Sequence, residues 1–368
     1  MRMIFCVQRI ARQRLAGGLG RTRFAIGLLA VLGAAAARQA EGAQMPTFNP
    51  KAPLQFYEMA RRQNLTDASC AETARTVERV ISVYGKTAPQ FVPAWQLRLG
   101  DSLWAAGKER EAIAAYGTLL ALPPGSPVGA PGPYRDLPSY QREARLNQAI
   151  LFARLGATAE SRQILAALEP ATSRDRLLAA EARLLNRDRV ADLLRDVRGD
   201  GHPERNWGAW YNPLRAAMLA HAASESQLAV RYAGPIAARG EKAEKWPHWK
   251  SAWAQADQLA RFEALGPLQT TGLRSGAYAG KSTGFYSPLD VEIRVSGGVL
   301  SEVRVVKHRE DRPRNALDGF VRRIKGDAPL AVDAVTGATQ TCHGVLLAVE
   351  DALRKAATLR PAQAAKKP

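Results

Sequence analysis

The clearest candidate for chemistry in this chain is the hydroxyl of Thr339. It closes the run Asp333-Ala-Val-Thr336-Gly337-Ala338-Thr339, just ahead of a segment where Val345, Leu346, Val349, Ala352 and Leu353 recur at helical spacing. A phosphoester needs a hydroxyl, and Gly337 and Ala338 have so little bulk that a phosphoryl group could approach the backbone closely. A phosphate at a helix N-terminus meets free N–H groups and the positive end of the helix dipole. Arg354 and Lys355 complement the opposite end. A plainer reading exists, because Val335-Thr-Gly-Ala-Thr also suits a turn capping a helix, and Thr is a fair N-cap. Those five residues alone favour the turn.

Other chemistries find little support. The three cysteines, Cys6, Cys70 and Cys342, form no Cys-x-x-Cys-His and no cluster, which excludes covalent c-type haem and an iron–sulfur centre. Cys70 and Cys342 are open to two readings, a disulfide in an oxidising compartment or two thiols. His202, His221 and His248 are isolated, lack metal-ligand spacing and read as surface or capping residues, so no metal is expected. No dinucleotide fingerprint and no triad pattern is present, and no catalytic residue is nominated.

The elements that must position Thr339 begin after Gly266. Leu289, Val291, Ile293 and Val295 alternate with polar residues, the period of a half-buried strand. Gly297-Gly298 supplies a two-residue hairpin turn, and a second strand runs through Leu300, Val303, Val305 and Val306. Ahead of the hairpin lies a Gly- and Ser-rich loop, Gly276-Ala-Tyr-Ala-Gly-Lys-Ser-Thr-Gly284-Phe285-Tyr286. After it, a short helix is expected over 316–324 and a final one over roughly 341–357.

This order of features resembles the FMN-binding domain family, which includes the covalent-FMN subunits of the Rnf complex and of the sodium-pumping NADH:quinone reductase. The resemblance rests on Gly-x-Tyr-x-Gly, Gly-Phe, strand–Gly-Gly–strand with the charged end Lys307-His308-Arg309-Glu310, and Asp-x-Val-Thr-Gly-Ala-Thr. It covers about residues 270–355 and does not extend to the middle of the chain. It implies that a flavin transferase uses FAD to attach FMN, through its phosphate, to Thr339. Asp333, Thr336, Gly337 and Ala338 complete the motif, and the resemblance gives Asp333 the task of orienting a hydroxyl or binding the transferase's metal. His308 and Glu310 could hydrogen-bond the isoalloxazine ring, though a solvated strand end is an equal reading. Tyr286 and Phe285 could stack on it, against core packing as the default. Cys342 and His343, within one turn of Thr339, read as ordinary first-turn residues.

Residues 44–266 are rich in Ala, Leu, Arg and Glu with helical periodicity, broken by Pro/Gly runs at 123–133 and around 199–203. The segment from Ala94 to Pro124 resembles a tetratricopeptide repeat through Leu99-Gly100, Leu103, Gly107, Ala112, Tyr116 and Pro124, with Trp95 one place ahead of the usual aromatic. A weaker copy runs from Ala144 to Glu169, and Leu177–Val197 and Leu214–Arg239 are candidates for degenerate pairs. Stacked helix pairs leave a curved surface, so this region is either a docking platform or a spacer. Trp246, Trp249 and Trp253 share one helix face and read as packing against the preceding helices or the C-terminal domain.

The N-terminus is Arg-rich and then runs apolar over the 14 residues from Phe24 to Ala37, ending in small residues that suit cleavage after Ala37, Ala40 or Ala43. That is the pattern of a secretory signal, with an uncleaved anchor as the alternative; a full span would need ~20 apolar residues. No twin-arginine pair precedes the run, which favours the general secretion route. Removing 1–43 takes away seven arginines and Glu41, lowering the formal charge from +18 to +12. The remaining cations are dispersed, without the basic stripe and interleaved aromatics of a nucleic-acid reader, so no nucleic acid is expected.

The expected architecture is therefore α+β. It comprises a signal peptide (1–43), an all-α tetratricopeptide-like helical solenoid (44–266), a small α+β FMN-binding domain (267–358) and a disordered tail (359–368). The expected protein is periplasmic or extracytoplasmic and membrane-associated. It carries covalent FMN, is matured by a flavin transferase, and passes electrons to a membrane or extracytoplasmic redox partner. Two alternatives stay open: a flavin-dependent reductase, and a tetratricopeptide-type scaffold with structural flavin.

Overall fold

The computed structural model describes residues 67–129, 134–199, 207–242, 249–285, 287–310, 317, 320–326, 329–332 and 339–357. The leader, the tail, Asp333, Thr336, Gly337, Ala338, Tyr286, Trp246, His202 and His248 lie outside the described residues. The described ones fall within one compact unit, mixed in helix and antiparallel sheet as expected.

Helices come first: α1 (Asp67–Tyr84), α2 (Val92–Ala105), α3 (Glu109–Leu120), α4 (Leu137–Arg154), α5 (Thr158–Ala166), α6 (Ser173–Leu185), α7 (Ala191–Leu194), α8 (Trp207–Ala222), α9 (Ser226–Ala238) and α10 (Trp249–Ala264). Small residues let neighbours approach. A Cβ on Gly100 would lie 2.2 Å from the Tyr116 ring, and Tyr116 is fully buried between α2 and α3. Its hydroxyl donates to Asp101 at 2.8 Å, and Asn147 from α4 reaches the same hydroxyl at 3.3 Å. Burial raises the Asp101 pKa. Each later helix packs on earlier ones through α4·α6, α6·α8, α8·α9 and α9·α10. Trp249 is fully buried, edge-on to Trp210 and beneath the Arg239 guanidinium, while the Trp253 indole donates to the Ala237 carbonyl. Trp249 and Trp253 thus pack against the preceding helices.

The sheet has strand order β1-β2-β3, with β1 (Gly276–Thr283), β2 (Pro288–Ser296) and β3 (Val299–Lys307) all antiparallel. Gly297 and Gly298 both have positive φ, as a tight hairpin turn requires. The segment expected as a Gly-rich loop is in fact strand β1 over 276–283, because its backbone groups pair with β2. Leu289, Val291, Ile293 and Val295 all face the core, as their alternation predicts. On β3 two bulges interrupt the alternation. One inserts Ser301, so that Leu300 and Val303 both turn inward; the other leaves Val306 as the extra residue, 56% exposed.

The final helix α11 (Thr339–Ala357) packs across β1 and β2 through Val345, Leu346, Val349, Ala352 and Leu353. Cys70 and Cys342 are buried thiols, in α1 and α11, and no disulfide joins them. Among the described residues no helix is long and apolar enough to cross a membrane.

Candidate functional site

Thr339, expected just ahead of the last helix, is its first residue and is half-buried. The opening N–H groups of an α-helix have no intrahelical acceptor, and the first turn of α11 carries no acidic side chain. An anion carried by Thr339 would therefore meet donors and the positive dipole end, with the Glu310 carboxylate, on Thr341 at 2.6 Å, as the negative group set against that turn.

Helix α11 is held against the sheet by a close backbone approach in its second and third turns. A Cβ on Gly344 would fall 2.5 Å from the Thr283 carbonyl oxygen, and one on Gly280 would fall 1.9 Å from that of Ala348. These two glycines let α11 lie directly on β1, where any side chain would push them apart.

Glu310, just past the end of β3, ties three segments together. Its carboxylate is buried and accepts from Phe285 N at 2.9 Å, Ser287 N at 3.1 Å, Ser287 Oγ at 3.2 Å and Thr341 Oγ1 at 2.6 Å. Ser287 Oγ in turn accepts from Arg309 N at 2.9 Å. Both carboxylate oxygens are thus committed to the loop after β1 and to the first turn of α11. Glu310 positions backbone here, and its burial overturns the expectation of a solvated strand end.

His308 is half-buried, and its Nδ1 is buried with no hydrogen-bond partner among the described residues. The amide nitrogen of Gln340, beside Thr339, is in the same condition. Unpaired buried polar atoms call for a partner, and a phosphorylated flavin brings acceptors and donors of the kind these atoms lack. The residues present therefore fit such a group. His343 is buried one turn along, and burial, with Arg215 adding to it, pushes its pKa down to about 3, so the ring is neutral. Cys342 is fully buried. Both are core residues of the first turn, as expected of ordinary first-turn positions.

Side chains from α10 also reach this site. Ser251 Oγ donates to the Phe285 carbonyl at 2.8 Å, and Gln255 Nε2 donates to the carbonyls of Thr283 at 2.7 Å and Gln340 at 2.9 Å. His221, expected as a surface or capping residue, instead bridges Glu263 of α10 and Glu350 of α11. Arg354 pairs with Glu350 and donates to the Phe262 and Gly266 carbonyls at 3.1 and 2.9 Å. The positions that sequence reasoning missed are thus Ser251, Gln255 and Thr341, while for Glu310 it missed the backbone-positioning role. Polar residues on a helix or at a strand end carry the same sequence signature whether they face water or a buried carbonyl.

Residues 284–354 match the family described as the FMN-binding domain. The chain therefore carries an FMN-binding domain, and the matched segment holds the Glu310 junction and most of α11. An uncharacterised protein of Treponema pallidum (strain Nichols) is 27% identical over 110 residues, which is 29% of this chain and 30% of that protein. The chain thus spans under a third of that relative's length. No solved structure matches it.

Proposed function

We propose that this chain is an exported flavoprotein that carries FMN as a phosphoester on Thr339 and relays electrons between extracytoplasmic partners. The observation that carries the reading is a half-buried hydroxyl at the head of a 19-residue helix, inside the segment that matches the FMN-binding domain. When bound, the flavin supplies one- and two-electron chemistry, and the protein supplies position and electrostatics. Thr339 holds the phosphate at the helix N-terminus, and Gly337 and Ala338 leave room for it. Asp333 and Thr336 complete the motif that a flavin transferase reads. Glu310 fixes Phe285 and Ser287 against the first turn, and His308 offers a ring nitrogen to the isoalloxazine. Outside the cytoplasm unbound FMN would diffuse away, which is the physical case for a covalent tether and agrees with the signal-like N-terminus. The tetratricopeptide-like helices would dock the flavin domain to a membrane-associated redox partner.

The test is intact mass of the full chain exported from cells that also express a flavin transferase. One FMN on the wild type and none on Thr339→Ala is the expected result. An unmodified wild type under those conditions overturns the reading.

A further inference from the structure

Strand β1 is an edge strand, with β2 on one side only among the described residues. Alternate carbonyls of such a strand point off the open edge and must find donors elsewhere. Here they find them on α10. Gln255 donates to Thr283 at 2.7 Å and Gln258 to Lys281 at 2.9 Å, while Ser251 donates to the carbonyl of Phe285, two residues past the end of the strand. The donors are spaced i, i+4, i+7 on the helix while the acceptors step back by two, so α10 runs antiparallel to β1. From Gln255 to Gln258 the helix rises about 4.5 Å, against about 7 Å for the two strand residues from Thr283 to Lys281, and flexible glutamine side chains span the difference. The next outward carbonyl, Ala279, accepts from Lys355 Nζ of α11 at 2.8 Å.

Gln255 differs from the other two donors. It is fully buried, and its one amide nitrogen also serves the Gln340 carbonyl at 2.9 Å, in the residue that follows Thr339. The end of β1 and the head of α11 are therefore fastened to each other through a side chain that lies outside the segment matching the FMN-binding domain, 284–354. Gln258, half-buried and donating to Lys281, has no such second bond to α11.

We infer that Gln255 is a positioning residue for FMN attachment: from α10 it holds the first turn of α11 at the end of β1, so that Thr339 is presented in the one placement a flavin transferase can use. This rests on Thr339 being the attachment site. Helix α10 is then a working part of the flavin domain, and the FMN-binding fold in this chain begins near Trp249, not after Gly266.

The test uses the full chain and two near-isosteric substitutions that remove the donor, Gln255→Met and Gln258→Met. In the unmodified protein, amide hydrogen exchange over residues 339–344 should quicken at least tenfold in Gln255→Met and stay near wild type in Gln258→Met. With purified flavin transferase and FAD, the initial rate of FMN attachment should fall at least tenfold in Gln255→Met only. Should Gln255→Met fail to fold, the shorter amide of Gln255→Asn decides, with both effects expected to be at least threefold and absent from Gln258→Met. Wild-type exchange and attachment in the folded Gln255 variant, or equal losses in Gln258→Met, overturns the inference. A wild type that accepts no FMN overturns the attachment reading as well, and that control separates the two failures.

Discussion

A carboxylate surrounded by donors binds them more strongly than a neutral acceptor would, and its removal strands every one of them. Glu310 stands in that position, with two backbone N–H groups and two hydroxyls on its oxygens. Replacing it with Ala should destabilise the fold by about 3 kcal/mol, the scale of losing charge-assisted hydrogen bonds and leaving buried donors unsatisfied. Urea denaturation of the full chain followed by circular dichroism would check this, and a loss below about 0.5 kcal/mol, the range of an ordinary surface change, would contradict it. The place of Thr339 at the head of a helix was legible without any structure, from the helical spacing of Val345, Leu346, Val349, Ala352 and Leu353 after it. Glu310 was not. In Lys307-His308-Arg309-Glu310 it is one charge among several, and only the burial of the strand end separates it from its neighbours.

Among the elements, the joint of α8, α10 and α11 is electrostatic. Burial works against a charge on His221, but hydrogen bonds to Glu263 and Glu350 outweigh it and raise its pKa from 6.5 to about 9. Burial would likewise raise Glu263, yet the hydrogen bond from His221 and one from Ser226 hold it below its usual 4.5. Arg354, paired with Glu350, is the other cation facing this cluster. For a raised histidine the stabilisation is complete below the unfolded value of 6.5 and is lost as pH climbs through about 9. For the depressed Glu263 it is present above 4.5 and lost as pH falls below that value. Thermal stability should therefore peak between these limits and decline from pH 6.5 to 9, and His221→Gln should flatten that alkaline decline. Melting curves at half-unit pH steps would show it; an unchanged alkaline limb in the variant would count against the joint. The same elements show where pattern reading stops. The β2 alternation was plain, whereas β1 looked like a loop, since glycine in a strand and glycine in a turn are alike until a helix is seen lying on Gly280.

At the scale of the whole molecule, the sheet is closed on one face by α11 and on its β1 edge by α10. A fragment beginning at residue 267 keeps the matched domain but discards the helix that supplies two donors to the β1 edge and one just past it. It should associate with concentration or precipitate, because an open edge pairs with other chains. A fragment from Trp249 should remain more soluble. Gel filtration of both across a tenfold concentration range would check this, and equal behaviour would show that α10 is dispensable for the edge. What the amino-acid order determined by itself was local: helical periods, the Gly297-Gly298 hairpin, the buried face of β2, and a threonine hydroxyl at the head of a helix. These follow from residue type and spacing within a few turns of chain. The tertiary structure alone decided that Gln255 meets Gln340, that His221 meets Glu350, and that Glu310 turns inward to Thr341. Each of those contacts joins residues far apart in the chain, and a polar side chain carries no mark of whether water or a distant carbonyl will satisfy it.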